Sequence, residues 1–113
     1  MNTAKEILLF AYHAYNARDV DGLLGMVTPD VDWPNGDARL HGPDALREYW
    51  RKQWTETSTH DQPTRITEEP DGRYKVSLNQ VVRNLKGAEI SRGSFEYVFE
   101  LRGDHIARLD IMK

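Results

Sequence analysis

The chain has 113 residues and a mass of 13.1 kDa, so we expect one domain over residues 1–113. Apolar residues make up 39% and charged residues 29%, which is typical of a globular protein and not of a disordered one. A net charge of −3 with both signs interspersed argues against a nucleic-acid-binding protein. Without cysteine there are no disulfides, no thiol catalysis and no thiolate zinc sites.

The sequence shows no targeting signal. Its N-terminal apolar segment is interrupted by Lys5, Glu6, His13 and Asn16, whereas a secretory signal needs a continuous apolar run. No stretch approaches the roughly 20 apolar residues that span a bilayer. We therefore expect a cytoplasmic protein with no membrane partner.

The first third of the chain predicts two helices and a short strand. Capping-box spacing at its start, followed by apolar residues at helical spacing, predicts a helix over Thr3–Arg18. Asp19 has the character of an N-cap for a short second helix, which we expect Pro29 to end. Val31–Trp33 alternates like a strand and runs into the turn-forming segment Pro34–Gly36.

A third and longest helix is predicted to open at Gly42, Pro43 and Asp44. Proline suits the first turn of a helix, and an acidic residue there complements the helix dipole. The predicted buried stripe of this helix contains Leu46, Tyr49, Trp50, Gln53 and Trp54.

From Pro63 onward the hydrophobic period changes to two. Short glycine-containing turns separate four predicted strands, which are Arg65–Glu69, Tyr74–Leu85, Ser94–Arg102 and Ile106–Met112. Consecutive strands joined in this way form an antiparallel meander. Three helices followed by such a sheet predict an α+β domain in which the helices pack on one sheet face.

The opposite, convex face of that sheet is predicted to carry scattered apolar residues, namely Val81, Val98 and Leu85. An open sheet face with apolar residues is often covered by a second subunit. We therefore expect a homodimer that forms through the convex face.

The segments AYNARDVDGLLGMVTPDVDWPNG and LHGPDALREYW, followed by the four closing strands, resemble the SnoaL-like branch of the nuclear transport factor 2-like superfamily. The resemblance covers nearly the whole chain. It implies a cystatin-like, cone-shaped, barrel-like α+β domain, with three N-terminal helices on the concave face of a curved, mostly antiparallel sheet. A pocket between helices and sheet is also implied. The superfamily includes isomerases, polyketide cyclases, dehydratases, epoxide hydrolases and non-enzymatic binding modules, so no single chemistry follows.

Ketosteroid isomerases of this superfamily use a general-base aspartate at the end of the first strand, with a tyrosine and a protonated aspartate as oxyanion donors. The resemblance places Asn35, or in another alignment Trp33, at the position of the base. Tyr97 falls at the oxyanion aspartate, and Trp50 falls at a supporting tyrosine. Since neither Asn35 nor Trp33 can abstract a proton at neutral pH, the acid–base set of the isomerases is replaced.

Each candidate ligand contact also has a structural alternative. Trp50 and Trp54, one helical turn apart, either wall a pocket or pack as plain core. Asn35 precedes a glycine and so also suits a turn, and Gln80 is a single amide on an apolar strand face that needs a ligand or a protein group as partner. The full candidate set is Tyr12, Tyr15, Trp33, Asn35, Trp50, Trp54, Gln80 and Tyr97.

No metal is expected, because His13, His60 and His105 lie far apart without the spacing of metal ligands. No cofactor is expected either. Arg108 and Asp110, two apart on a strand, predict a surface or interface ion pair, although epoxide hydrolases of the superfamily use an Asp-Arg-Asp set.

The predicted function is binding of a small hydrophobic molecule in an aromatic pocket. The alternative is an isomerase, cyclase or dehydratase acting on a small polyketide- or steroid-like substrate. A carboxylate or imidazole deep in the cavity beside Trp33 and Tyr97 would favour the enzyme. A cavity that holds only aromatic and amide groups there would favour binding.

Overall fold

A computed structural model describes residues 3–112, so residues 1–2 and 113 of the predicted domain lie outside the described range. Its elements in chain order are α1 (Ala4–Asn16), α2 (Val20–Leu24), β1 (Val27–Asn35), β2 (Ala38–His41), α3 (Pro43–Glu56), β3 (Thr57–Glu68), β4 (Tyr74–Asn84), β5 (Glu89–Arg102) and β6 (His105–Met112). The strands form one curved, open sheet in the order β2-β1-β6-β5-β4-β3. Neighbouring strands are antiparallel except β1 and β6, which are parallel. The helices pack on one face of this sheet, which confirms the predicted α+β class.

Local signals set the first two helices. The predicted capping box is present, since the Thr3 hydroxyl accepts from the backbone N–H of Glu6 at 3.2 Å and the Glu6 carboxylate accepts from the Thr3 N–H at 3.2 Å. Helix α1 ends at Asn16, because Arg18 adopts a left-handed conformation with φ of 57°. Asp19 caps α2 as predicted.

Pro29 does not end α2, contrary to the prediction. The helix stops at Leu24, and Pro29 lies inside β1. Val27 of β1 pairs with Ile106 of β6, and the next paired residue of β1, Asp32, pairs with Arg108. Since β1 uses more residues than β6 between these two pairs, β1 bulges here. A proline, which has no N–H to donate, is tolerated at such a bulge.

Strand β2 and the first half of β3 were absent from the prediction, and β1 and β5 begin earlier than predicted, at Val27 and Glu89. Strand β2 forms a hairpin with β1 through Gly36, whose φ is 60°. Strand β3 begins at Thr57 and not at Arg65, and it is an edge strand paired only with β4. Its inward residues Thr59 and Asp61 are buried but polar, so the sequence shows no apolar alternation there.

The core lies between the helices and the concave sheet face. Its fully buried large side chains come from every layer and are Leu8, Val31, Leu46, Trp50, Val76, Leu78 and Ile106. Within residues 3–112, no helix has the length and apolar character needed to cross a bilayer.

The convex face carries a closed ring of charges. Arg39 contacts Asp32 at 2.6 Å and Asp110 at 3.2 Å, and Arg108 contacts the same two carboxylates at 2.8 Å each. Arg39 also donates to the backbone carbonyl of Leu109 at 2.8 Å. Because pairing of β1 with β6 is sparse, this ring joins the β1–β2 hairpin to β6.

The apolar residues expected on the convex face are less open than predicted. Val98 is buried within one chain, Val81 is half-buried, and Leu85 is exposed beside the β4–β5 turn. Homodimer formation through this face stays a prediction, which light scattering of the purified protein would test.

Candidate functional site

A cavity of about 230 Å³ lies between the helices and the concave face of the sheet. It is lined by side chains from all three helices and from β1, β3, β4, β5 and β6. Of the side chains proposed from the sequence, the structure brings six together here, namely Tyr12, Tyr15, Trp33, Trp50, Gln80 and Tyr97.

The other two proposed residues lie outside the cavity lining. Trp54 packs behind it, with its ring centroid 6.3 Å from that of Trp50 and 5.8 Å from that of Tyr15. Asn35 is exposed at the end of β1, directly before Gly36, and therefore takes the turn role that the sequence left open. Asn35 therefore does not line the cavity, because its strand ends at the hairpin, and its role as a ligand contact stays a prediction.

Aromatic pairs hold the apolar walls of the cavity in place. Trp33 and Trp50 meet edge to face, with centroids 5.4 Å apart and planes at 89°. Tyr12 and Phe99 do the same at 6.0 Å and 77°. Edge-to-face packing is a preferred aromatic geometry, so these rings stabilise one another beside the space they enclose.

Asp61 is the residue that the sequence analysis missed. It points inward from β3, is only 4% exposed and lines the cavity. Its Oδ1 accepts a hydrogen bond from Gln80 Nε2 at 2.9 Å, and the same amide lies 3.4 Å from the Tyr97 hydroxyl. Thr59 and Asp61 are two residues apart and therefore lie on the same face of β3, which was the signal available in the sequence. That face is recognisable as buried only once the pairing of β3 with β4 is known.

Burial raises the pKa of Asp61, and the hydrogen bond from Gln80 and the positive charge of His60 offset only part of that rise. No lysine, arginine or histidine belongs to the cavity lining in the described part of the chain. The carboxyl group therefore has no cationic partner in the cavity and favours its protonated form at higher pH than an exposed aspartate does.

Three tyrosine hydroxyls share this environment. Burial, together with the charge of Asp61, raises the pKa of Tyr97 to about 12. The same two causes raise the pKa of Tyr12 and of Tyr15 further. All three hydroxyls therefore stay protonated at neutral pH and can donate hydrogen bonds.

The Tyr12 hydroxyl has no hydrogen-bond partner among the described residues, although it is buried. By contrast, the Tyr15 hydroxyl accepts from Gln53 Nε2 at 2.9 Å. Leaving a buried hydroxyl unpaired costs about 1–3 kcal/mol.

The remaining polar candidates lie elsewhere. Leu109 and Ile111 face the cavity, so Arg108 and Asp110, which alternate with them, face the convex side. An Asp-Arg-Asp set built on that pair is therefore not in the cavity. No group of three or more histidine or acidic residues within residues 3–112 is placed to hold a metal ion.

The family model of the SnoaL-like domain matches residues 10–109. The chain belongs to the SnoaL-like family. This confirms the resemblance drawn from the sequence. No curated protein matches this SnoaL-like chain significantly.

Solved structures of low identity share the fold of the SnoaL-like chain. A candidate polyketide cyclase from Sinorhizobium meliloti is 24% identical, with a TM-score of 0.81 over 95% of this chain and 94% of that one. A second candidate polyketide cyclase, from Pseudomonas putida, is 20% identical, with a TM-score of 0.84 over 100% and 92%. An LEH-like epoxide hydrolase from M. tuberculosis is 15% identical, with a TM-score of 0.79 over 92% and 77%. At such identities the likeness shows the fold alone.

Proposed function

We propose that this SnoaL-like protein is an enzyme that transfers a proton at a carbon next to a carbonyl group in a small, uncharged ring compound of polyketide type. Asp61 is the general acid–base. The observation that carries the proposal is the burial of Asp61 in the aromatic cavity, hydrogen-bonded to Gln80 beside Tyr97. A carboxylate in this place favours the enzyme over the binding-only alternative.

The environment of Asp61 suits proton transfer. An efficient acid–base group has a pKa close to the working pH, and burial moves that of Asp61 upward from its ordinary value. Its Oδ1 is occupied by Gln80, whereas its Oδ2 has no partner among the described residues. That second oxygen is the one we assign to the substrate proton.

The tyrosine hydroxyls suit the oxygen atom of the substrate. Removing a proton next to a carbonyl places negative charge on the carbonyl oxygen, and fixed donors stabilise that charge. Tyr97 has a hydroxyl close to Gln80, and the buried hydroxyl of Tyr12 has no partner among the described residues. Loss of one such donor lowers the rate by roughly 10²–10³ in other enzymes.

Cavity size and charge narrow the substrate class. The volume of about 230 Å³ lies below the roughly 300–1,000 Å³ of sites for drug-sized ligands, which supports a substrate of one or two rings. Within the part of the chain that the structure describes, the lining has no cationic side chain to pair with an anionic substrate. Similar structures described as candidate polyketide cyclases support a substrate of polyketide type.

Exchange of deuterium from D₂O into small cyclic ketones and 1,3-diketones, followed by proton NMR, tests the proposal. The native protein should exchange at least one compound faster than buffer alone. Asp61→Asn should lower the exchange rate by a factor of roughly 10²–10⁴. The control Asp37→Asn, at an exposed hairpin position, should leave the exchange rate unchanged. Equal exchange by native protein and Asp61→Asn would refute the role of Asp61. Tight binding of a panel compound without any exchange would leave binding alone as the function.

A further inference from the structure

We propose that Asn16 is a positioning residue that holds Asp61 in place against the hydroxyl groups carried by α1. The inference rests on the proposed function only in treating Asp61 as the acid–base group. Asn16 does not line the cavity, so it would act through Asp61 and not on the substrate.

The contact is a two-point clamp. Asn16 is the last residue of α1, and its Nδ2 donates to the backbone carbonyl of Asp61 at 2.8 Å. Its Oδ1 accepts from the backbone N–H of Asp61 at 2.9 Å. Because β3 is an edge strand, the outward backbone groups of β3 have no neighbouring strand. The side-chain amide of Asn16 thus satisfies the two backbone groups of Asp61 that a neighbouring strand would otherwise bind.

This clamp also explains the close approach of Gln80. Asp61 on β3 and Gln80 on β4 face each other. Because the backbone N–H and C=O of Asp61 both bind Asn16 on α1, these two residues form a non-hydrogen-bonded pair of the antiparallel ladder. Side chains in such pairs are closer than in the alternate pairs of an antiparallel ladder. The 2.9 Å bond from Gln80 Nε2 to the carboxyl follows from that register.

Through Asn16, the carboxyl group of Asp61 is held at a fixed position relative to the tyrosine hydroxyls of α1. Tyr12 and Tyr15 project from the same helix that ends in Asn16, and Asp61 projects from the strand that Asn16 holds. The other titratable groups near the carboxyl are His60 on its own strand and Tyr97 on β5, while β4 supplies the neutral Gln80. The carboxamide adds no charge to this set, so it fixes geometry without stabilising the ionised carboxylate.

Carbon-13 NMR titration of the Asp61 carboxyl in the full-length protein tests the clamp, together with thermal unfolding and the ketone exchange assay. Asn84→Ala is the matched control, since Asn84 Oδ1 also accepts two backbone N–H groups, those of Lys86 and Ala88, but at a hairpin away from the cavity. Both alanine variants should lose stability. Only Asn16→Ala should lower the pKa of Asp61, by admitting water, and should reduce kcat about tenfold to a hundredfold with little change in KM.

A second variant covers the case in which Asn16→Ala does not fold. Asn16→Asp places a negative charge beside Asp61 and should raise the pKa of that carboxyl. An Asp61 titration that stays at the native pH in the folded Asn16 variants would overturn the proposal and leave Asn16 a structural residue. Because the titration reads the carboxyl directly, it decides the clamp even where the exchange assay refutes the proposed function.

Discussion

Replacing Asp61 with asparagine should make the protein more stable at neutral pH while removing its acid–base group. The amide has the shape of the carboxyl and keeps an oxygen for the hydrogen bond from Gln80, so the packing around the side chain is preserved. What changes is the charge. Asp61 is only 4% exposed and no cationic side chain of the described residues lines the cavity, so its ionised form is poorly compensated in the folded state.

The sign follows from proton linkage. Burial raises the pKa of Asp61 in the folded state above the value of about 3.9 for an unfolded aspartate. Between those two values the folded protein binds more protons than the unfolded chain, so the free energy of unfolding falls as pH rises through that window. Above that window the full cost of ionising the buried carboxyl group is present. Asp61→Asn escapes that cost, so we expect a gain of about 1–3 kcal/mol near pH 8 and none near pH 3.

Urea unfolding followed by tryptophan fluorescence, repeated from pH 3 to pH 8 on both proteins, measures the difference. Subtracting the two curves of unfolding free energy against pH cancels the contributions of the other carboxylates. These include Asp110 and Asp71, whose pKa values lie below the ordinary range. Asp37→Asn, at an exposed position, should show a flat difference. The reasoning is refuted if Asp61→Asn is no more stable than the native protein at pH 8, or if its advantage does not shrink toward acidic pH.

Three further changes have defined outcomes. Arg39→Gln, whose side chain is 27% exposed within the charge ring, should cost about 2 kcal/mol in urea unfolding. Arg92→Gln, at an exposed ion pair, should lose clearly less stability in the same assay, and equal losses would contradict a structural role for the ring. Trp50→Ala should cost about 3–5 kcal/mol in the same assay, because the indole is 1% exposed, and a loss below 1 kcal/mol would contradict its core position. Gln80→Leu removes the hydrogen bond that lowers the pKa of Asp61, so the acid limb of the exchange rate should move to higher pH; an unmoved limb would argue against Asp61 as the titrating group.

Elements with local signals were predictable from the sequence. The capping pair of Thr3 and Glu6 defines the start of α1 within four residues of chain, and Pro43 defines the start of α3 in the same way. Strands β4 and β5 alternate because their concave faces bury apolar side chains, among them Val76 and Phe99. Each of these signals lies within the element that it defines.

Elements defined by distant partners were not predictable. Strand β3 begins among polar residues, and its inward side chains are threonine and aspartate, so its burial depends on α1 and β4. The site likewise depends on residues that are distant in the sequence. Gln80 is visible in the sequence as an amide in need of a partner, but the partner lies on a strand whose first half the pattern does not reveal. Asn35 shows the converse, because its neighbour Gly36 was the stronger signal and the hairpin follows it.

The position of the carboxyl sets the direction of the proposed chemistry. The resemblance to isomerases pointed to the end of β1, where this chain has Asn35 in an exposed turn. The carboxyl is supplied instead by β3, the strand at the far edge of the sheet from the β1–β2 hairpin. In the proposed reaction the reacting carbon faces β3, and the carbonyl oxygen faces the side of α1 that carries Tyr12, whose hydroxyl has no partner within residues 3–112. A substrate that fits an isomerase would present its proton toward the β1 end of the cavity, so this chain should discriminate between substrates by orientation as well as by size.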